Sequence, residues 1–205
     1  MRRLVVATGN PGKLAEFRDL LADSGLELAS QRELGIEDPP ETGTTFVENA
    51  IIKARHAAQT SGLPALADDS GLIVDALDGA PGLISAHYGG VHGDAARNIA
   101  RLLDELRDVP EERRSARFHS VIVLLRHAAD PAPLIAEGTW EGRILQAPRG
   151  SGGFGYDPVF FSPEHACAAA ELPAAVKNRA SHRGQALAVL RARWPAWLHT
   201  VPAAS

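Results

Sequence analysis

One cysteine, Cys167, is all the thiol chemistry the chain has. It excludes an intrachain disulfide and a zinc site built on cysteines, and a reducing compartment fits. A surplus of positive charge is missing too, since the formal net charge is -4. That argues against a general binder of nucleic acid or of membrane surfaces. Positive charge for an anionic ligand must then be local or come with a metal. No apolar stretch approaches the roughly 18 residues of a membrane span. The opening "MRRLVVATGN" holds only a short apolar run that Gly9-Asn10-Pro11 ends, too short for a signal-peptide core. Internal repeats, low-complexity linkers and charge blocks are also lacking. The expectation is a cytoplasmic protein.

What is present is ordinary for a soluble globular chain. There are 205 residues, 45% hydrophobic and 22% charged, enough for one domain with a full core, single or with two lobes. "RLVVAT" (Arg3–Thr8) reads as a buried strand. "GKLAEFRDLLADSG" reads as a helix, with Leu14, Phe17, Leu20 and Leu21 on one face and Gly25 at its C-cap. "LELAS" is a second strand. A helix over "TTFVENAIIKARHAAQTSG" has capping-box spacing at Thr45 and Glu48, a stripe of Phe46, Ala50, Ile51 and Ala54, and a stop at Gly62. "PALADDSGLIVDAL" reads as strand, sharp turn, strand, and "DAARNIARLLDELRDV" as an amphipathic helix. "VPEERRSAR" reads as a solvated turn. "ARFHSVIVLLRHA" is a long strand and "LIAEGTWEGRIL" its neighbour. The last helix, "SHRGQALAVLRARW", is N-capped by Ser181 and stops before Pro195. Interleaved helices and strands with late hairpin-like pairs predict an α/β fold on a mixed sheet.

Several segments carry charge where chemistry could use it. "TGNPGK" (Thr8–Lys13) joins a strand to a helix, where backbone N–H groups and a lysine favour an anion. It is not a Walker loop, because Gly9 and Gly12 are too close and Leu14 follows Lys13. "ADDSG" puts Asp68 and Asp69 side by side. Adjacent strand residues face opposite ways, so the two carboxylates have different jobs. One is suited to a hard divalent cation such as Mg²⁺ and the other to orienting a neighbour; the ordinary alternative is an Asx turn. Glu41 precedes a helix and could be a second metal ligand, or simply favour the helix N-terminus. "KNRASHRG" gathers Lys177, His182 and Arg183. "RGSGGFGYDP" has four glycines between Arg149 and Tyr156, which means either a flexible tip or a close approach to backbone.

In this order, "TGNPGK", "ETGTTFVENAIIKA", "ADDSGLIVDALDGAPGLISAHY", "GGFGYDP" and "SHRGQAL" resemble the motifs of the inosine triphosphate pyrophosphatase family, over nearly the whole chain. The family hydrolyses non-canonical purine nucleoside triphosphates such as ITP, dITP and XTP. The resemblance implies an elongated, two-lobed α/β fold around a mixed sheet, with the active site in the cleft, a homodimer and a need for Mg²⁺. It implies that Thr8, Gly9, Asn10, Pro11, Gly12 and Lys13 hold the phosphates. Asp69 would be the catalytic carboxylate and a metal ligand, Glu41 would share the metal, and Asp68, Lys13 and Lys53 would complete the catalytic group. Ser70 would touch substrate. Phe154, Gly155, Tyr156, Asp157, Lys177, His182 and Arg183 would line the nucleoside end, with glycines admitting the nucleoside to the backbone. The chain departs from the pattern at His87, where many relatives have arginine. Two further readings remain beside this one. One is a pyrophosphatase of the same architecture acting on pyrimidine or other modified nucleotides. The other is a nucleotide sensor without turnover, against which the adjacent carboxylates speak.

Overall fold

In the first strand, β1 (Arg2–Ala7), apolar residues fill both faces. Leu4 and Val6 belong to one core cluster and Val5 and Ala7 to another, which a strand allows only when both of its faces are covered. The covering layers are helices. On one side lie α1 (Pro11–Leu21) and α5 (His182–Thr200), packed through Phe17, Leu21, Leu187, Leu190, Trp194 and Trp197. On the other lies α2 (Phe46–Ser61), whose Ala50, Ala54, Ala57 and Ala58 let the helix sit close to the sheet. The computed structural model that shows this describes residues 2–200.

The remaining elements are β2 (Leu26–Ser30), β3 (Ala65–Val74), α3 (Ala95–Glu105), β4 (Ser115–Leu125), β5 (Leu134–Ile144), β6 (Phe160–Ser162), β7 (Cys167–Ala168) and α4 (Ala174–Ala180). One sheet orders the strands β2-β1-β3-β4-β5-β6-β7. β1 runs parallel to β2 and β3, while β6 is antiparallel to β5 and β7. The expected α/β class with a mixed sheet is therefore what the chain adopts.

The chain divides into two compact units. The first comprises the described residues up to Asp69, Ser120–Gly138, and those from Arg183 onward; the second comprises Ser70–His119 and Thr139–His182. The second unit has its own core, built on Leu72, Leu102, Phe118, Trp140, Tyr156 and Phe160.

Local signals explain many boundaries. Thr45 caps α2 through a complete capping box with Glu48, and Gly62 ends it with φ of 69°. α1 stops at Leu21, and Gly25 instead closes a short 3₁₀ turn over Ala22–Ser24. The side chain of Leu20, expected on the buried face, lies outside the described residues.

Three expectations need correction. "LADDSGL" is not a turn, because β3 runs unbroken from Ala65 to Val74. Asp, Ser and Gly favour turns when their polar groups have no better partner, and here buried cations supply one. The last helix continues through Pro195 to Thr200. Trp194 and Trp197 are both buried against the first unit's core, and burying two indoles outweighs one missing backbone hydrogen bond. Finally, "VPEERRSAR" is not wholly solvated. Arg114 is buried and donates to the carbonyls of Leu106, Val109 and Leu145.

Candidate active site

The alternation of β3 sends its two adjacent carboxylates to opposite faces of the sheet. Asp68 shares a side with Leu66, toward α1 and α5. Asp69 shares a side with Ala67, toward α2.

On the α1 side Asp68 is 1% exposed and accepts from three groups. Lys13 Nζ lies 2.8 Å from Oδ2, an Arg183 guanidinium nitrogen 3.3 Å from Oδ2, and the Ser120 hydroxyl donates to Oδ1. Arg183 also pairs with Glu16, which sits one turn beyond Lys13 on α1. Burial opposes ionisation of Asp68, but Arg183 and Lys13 overcome it and hold the carboxyl well below the usual carboxylate range. Burial pulls Lys13 below its ordinary value; Asp68 resists, while Arg183 and Lys53 add to the fall. Glu16 and Ser120 were not singled out from sequence. Glu16 left a signal, an acid at helical spacing from Lys13 beside the buried Phe17. Ser120 left none within its apolar run.

On the α2 side Lys53 is buried and bridges two carboxylates. Its Nζ lies 2.7 Å from Asp69 Oδ1 and 3.0 Å from Glu41 Oε1. Burial works against the ammonium, yet Asp69 and Glu41 together raise its pKa. Burial also works against the Asp69 carboxylate, and there Lys53 does not make up the difference, so Asp69 is held above its ordinary value. Asp69 Oδ2 is buried and has no hydrogen-bond partner among the described residues. The loop that carries Glu41 is pinned to the head of α2, where Gly43 N–H donates to Asn49 Oδ1 at 2.8 Å. A Cβ on Gly43 would lie 2.7 Å from that oxygen, so glycine is required.

The loop Thr8–Lys13 is closed by its own asparagine. Asn10 Oδ1 accepts from the N–H groups of Gly12 and Lys13 at 2.9 and 3.2 Å, and Pro11 opens the helix. Asn10 N–H donates to the buried Thr8 hydroxyl at 3.2 Å. Two of the backbone donors expected to face an anion are thus satisfied by Asn10. A Cβ on Gly9 would lie 2.7 Å from Asp38 Oδ2, the end of an exposed side chain that can turn aside.

In the second unit, Asp157 organises the glycine-rich loop. Its Oδ2 accepts from Phe154 N–H at 2.7 Å and from Lys177 Nζ at 2.6 Å. The Lys177 ammonium also lies 4.4 Å from the centroid of the Phe154 ring, and that ring is 37% exposed. The glycines admit the chain's own atoms. A Cβ on Gly150 or Gly152 would lie 2.8 Å from the Ala170 carbonyl, and one on Gly153 would overlap the Asp157 carboxylate. Gly153 has φ of 71° and Gly155 of 61°, a region that disfavours other residues. Gly153→Ala is therefore expected to destabilise the protein by about 1–3 kcal/mol. An unchanged urea midpoint would refute that expectation.

Tyr156 is buried and donates to the Ser85 carbonyl at 2.9 Å. His182 is buried and stacks on Phe118 with ring centroids 4.9 Å apart. Ser70 continues β3 and is half-buried. His87 is exposed and stacks on His92. The structure thus gathers Lys13, Asp68 and Arg183 in one cluster, Glu41, Lys53 and Asp69 in another, and Phe154, Asp157 and Lys177 in a third.

An α/β chain with lysines paired to adjacent strand carboxylates matches the Ham1 family model over residues 4–193, and the chain belongs to that family. It is 64% identical over 191 residues to the dITP/XTP pyrophosphatase of Xanthomonas campestris pv. campestris (strain 8004), covering 93% of this chain and 96% of that protein. It is 57% identical over 187 residues to the dITP/XTP pyrophosphatase of Vibrio cholerae serotype O1, covering 91% and 94%. Among solved structures, a HAM1 protein from Coxiella burnetii superposes with a TM-score of 0.89 at 50% identity, covering 96% of this chain and 100% of that one.

Proposed function

We propose that this protein hydrolyses non-canonical purine nucleoside triphosphates, ITP, dITP and XTP, to the monophosphate and pyrophosphate. The observation that carries the proposal is 64% identity, over nearly full length, to a dITP/XTP pyrophosphatase. The charge pattern on β3 supports a reaction at phosphate. Two lysines, the half-buried Lys13 and the buried Lys53, lie against two carboxylates on opposite faces of one strand.

Glu41 and Asp69 are suited to hold Mg²⁺. Both offer hard oxygens, Asp69 Oδ2 is buried without a hydrogen-bond partner among the described residues, and one ammonium already draws the two carboxylates together. A site with two protein carboxylates suits a cation that keeps several waters. When bound, the cation supplies charge neutralisation at the phosphates and acidifies a neighbouring water. Asp69 takes the proton of the attacking water. Lys13 and Lys53 offset the charge that grows on the phosphate oxygens. Asp68 does its work through Lys13 and Arg183, whose ammonium and guanidinium it positions. The loop Thr8–Lys13 receives phosphate through the Lys13 ammonium and the helix end.

Base recognition is assigned to Phe154 as a stacking face and to His182 and Arg183 as donors to a 6-keto oxygen, with Ser70, Gly155, Tyr156, Asp157 and Lys177 supporting the nucleoside. Adenine presents an amino donor at that position, and donor against donor leaves both groups unpaired. The protein acts in the cytoplasm as a homodimer. The dimer is supported by the family resemblance and is checked by light scattering, which should give twice the chain mass.

The decisive assay offers a panel of nucleoside triphosphates with Mg²⁺ and measures both pyrophosphate and orthophosphate. ITP, dITP and XTP should yield pyrophosphate and a monophosphate, with ATP a poor substrate. Orthophosphate and a nucleoside diphosphate from ITP would overturn the proposal.

A further inference from the structure

Lys53 occupies an unusual place for a residue whose task is to meet phosphate. Its side chain is 8% exposed, and its ammonium lies between Glu41 and Asp69, 3.0 Å from one and 2.7 Å from the other. Those are the two oxygen donors assigned above to the cation. We propose that Lys53 is an internal stand-in for the metal, holding the two carboxylates together in its absence and competing with it for them. This rests on Glu41 and Asp69 being the metal ligands.

Charge and geometry make the exchange reasonable. Two carboxylates drawn together in a partly buried place repel each other unless a cation lies between them. With Lys53 the group of three keeps one net negative charge, and a divalent cation in its stead would leave none. The displaced ammonium is then without its partners, while a triphosphate brings new negative charge to the site. The side chain can make such a move, since lysine is a point charge on a flexible four-carbon stem. Its base is fixed: Lys53 sits on the buried face of α2, one turn beyond Asn49, which holds the Glu41 loop through Gly43. One lysine thereby keeps the ligand pair assembled before the cation arrives and is released toward phosphate when it does.

The test measures binding of Mn²⁺ alone, without nucleotide, by the loss of the free-ion signal in electron paramagnetic resonance. Lys53→Gln removes the competitor. Its Mn²⁺ dissociation constant should fall by about three-fold or more relative to wild type, with ten-fold the central expectation. Mn²⁺ should also raise its melting temperature more than it raises that of wild type. A smaller gain in affinity, no change or a loss overturns the proposal. Lys53→Arg keeps the charge and can fork to both carboxylates, so it should bind Mn²⁺ about three-fold more weakly or worse. That arm decides alone if the glutamine variant does not fold, and unchanged or tighter binding by the arginine variant also overturns the proposal. Asp69→Asn separates the two levels. If it leaves Mn²⁺ binding intact, the assignment of the metal ligands fails and the stand-in with it. If it abolishes binding while Lys53→Gln gains nothing, only the stand-in fails.

Discussion

Asp69→Asn is expected to abolish nearly all pyrophosphate release from ITP while leaving the fold intact. The change keeps the size of the side chain and its place on β3. It removes the negative charge that holds metal and takes up a proton. Stability should stay within about 1 kcal/mol of wild type, for two reasons. The ionised Asp69 carboxylate is disfavoured by its burial, so deleting its charge removes an unfavourable interaction together with a favourable one. Lys53 also keeps Glu41 as a partner after the change. Turnover and urea denaturation measured on the same preparation test both halves. Retention of more than about a tenth of wild-type turnover would leave only ~1.4 kcal/mol of barrier to Asp69, too little for the main catalytic carboxylate.

Much of this arrangement was legible in the sequence wherever the deciding interaction is local. The capping box at Thr45 and Glu48 needs four residues and is present as spaced. "LELAS", read as the second strand, is β2 at both ends. The mixed sheet followed from the order of the elements. Local signals failed where distant partners decide. "ADDSG" contains turn-forming residues, and only Lys13, Lys53, Ser120 and Arg183, remote in sequence, make it a strand. Pro195 stops a helix in isolation, but it cannot do so where tryptophans on either side of it are buried. α4 also passed unread, since "AAVKNRA" gives only about two turns with no side-chain cap. The glycines of "RGSGGFG" left a flexible tip and a close approach to backbone both open, and the fold shows a close approach. The approaching groups in the fold are Ala170 and Asp157 of the same chain. Adjacent carboxylates on a strand did say that Asp68 and Asp69 have different surroundings, because that conclusion needs only the two-residue repeat of a strand.

Arg183→Ala is expected to have the largest effect on stability. Arg183 is 2% exposed, and its guanidinium pairs with both Asp68 and Glu16, which are themselves buried. Truncation leaves two buried carboxylates with Lys13 as their neighbouring cation, and breaking such a network costs about 3–5 kcal/mol. The loss depends on pH in a definite direction. The native Asp68 carboxyl is held well below its ordinary value against its own burial, chiefly by Arg183 and then by Lys13. Its contribution to stability is therefore present above the unfolded pKa of about 3.9. It disappears as pH falls through the lower native value. The gap between wild type and variant should be widest near neutral pH and shrink in acid, as urea denaturation along a pH series would show. A gap below about 1 kcal/mol at pH 7 would mean that the ion pairs contribute little. Arg183→Lys keeps a charge but cannot reach Asp68 and Glu16 from two nitrogens, and it serves as the folded variant for kinetics. If Arg183 also donates to the 6-keto oxygen, the ratio of kcat/KM for ITP over ATP should drop by about ten-fold or more in that variant. If its task is confined to Asp68 and Glu16, both substrates should suffer alike. An unchanged ratio would take Arg183 off the base-recognition surface and leave that role to His182 and the loop that carries Phe154.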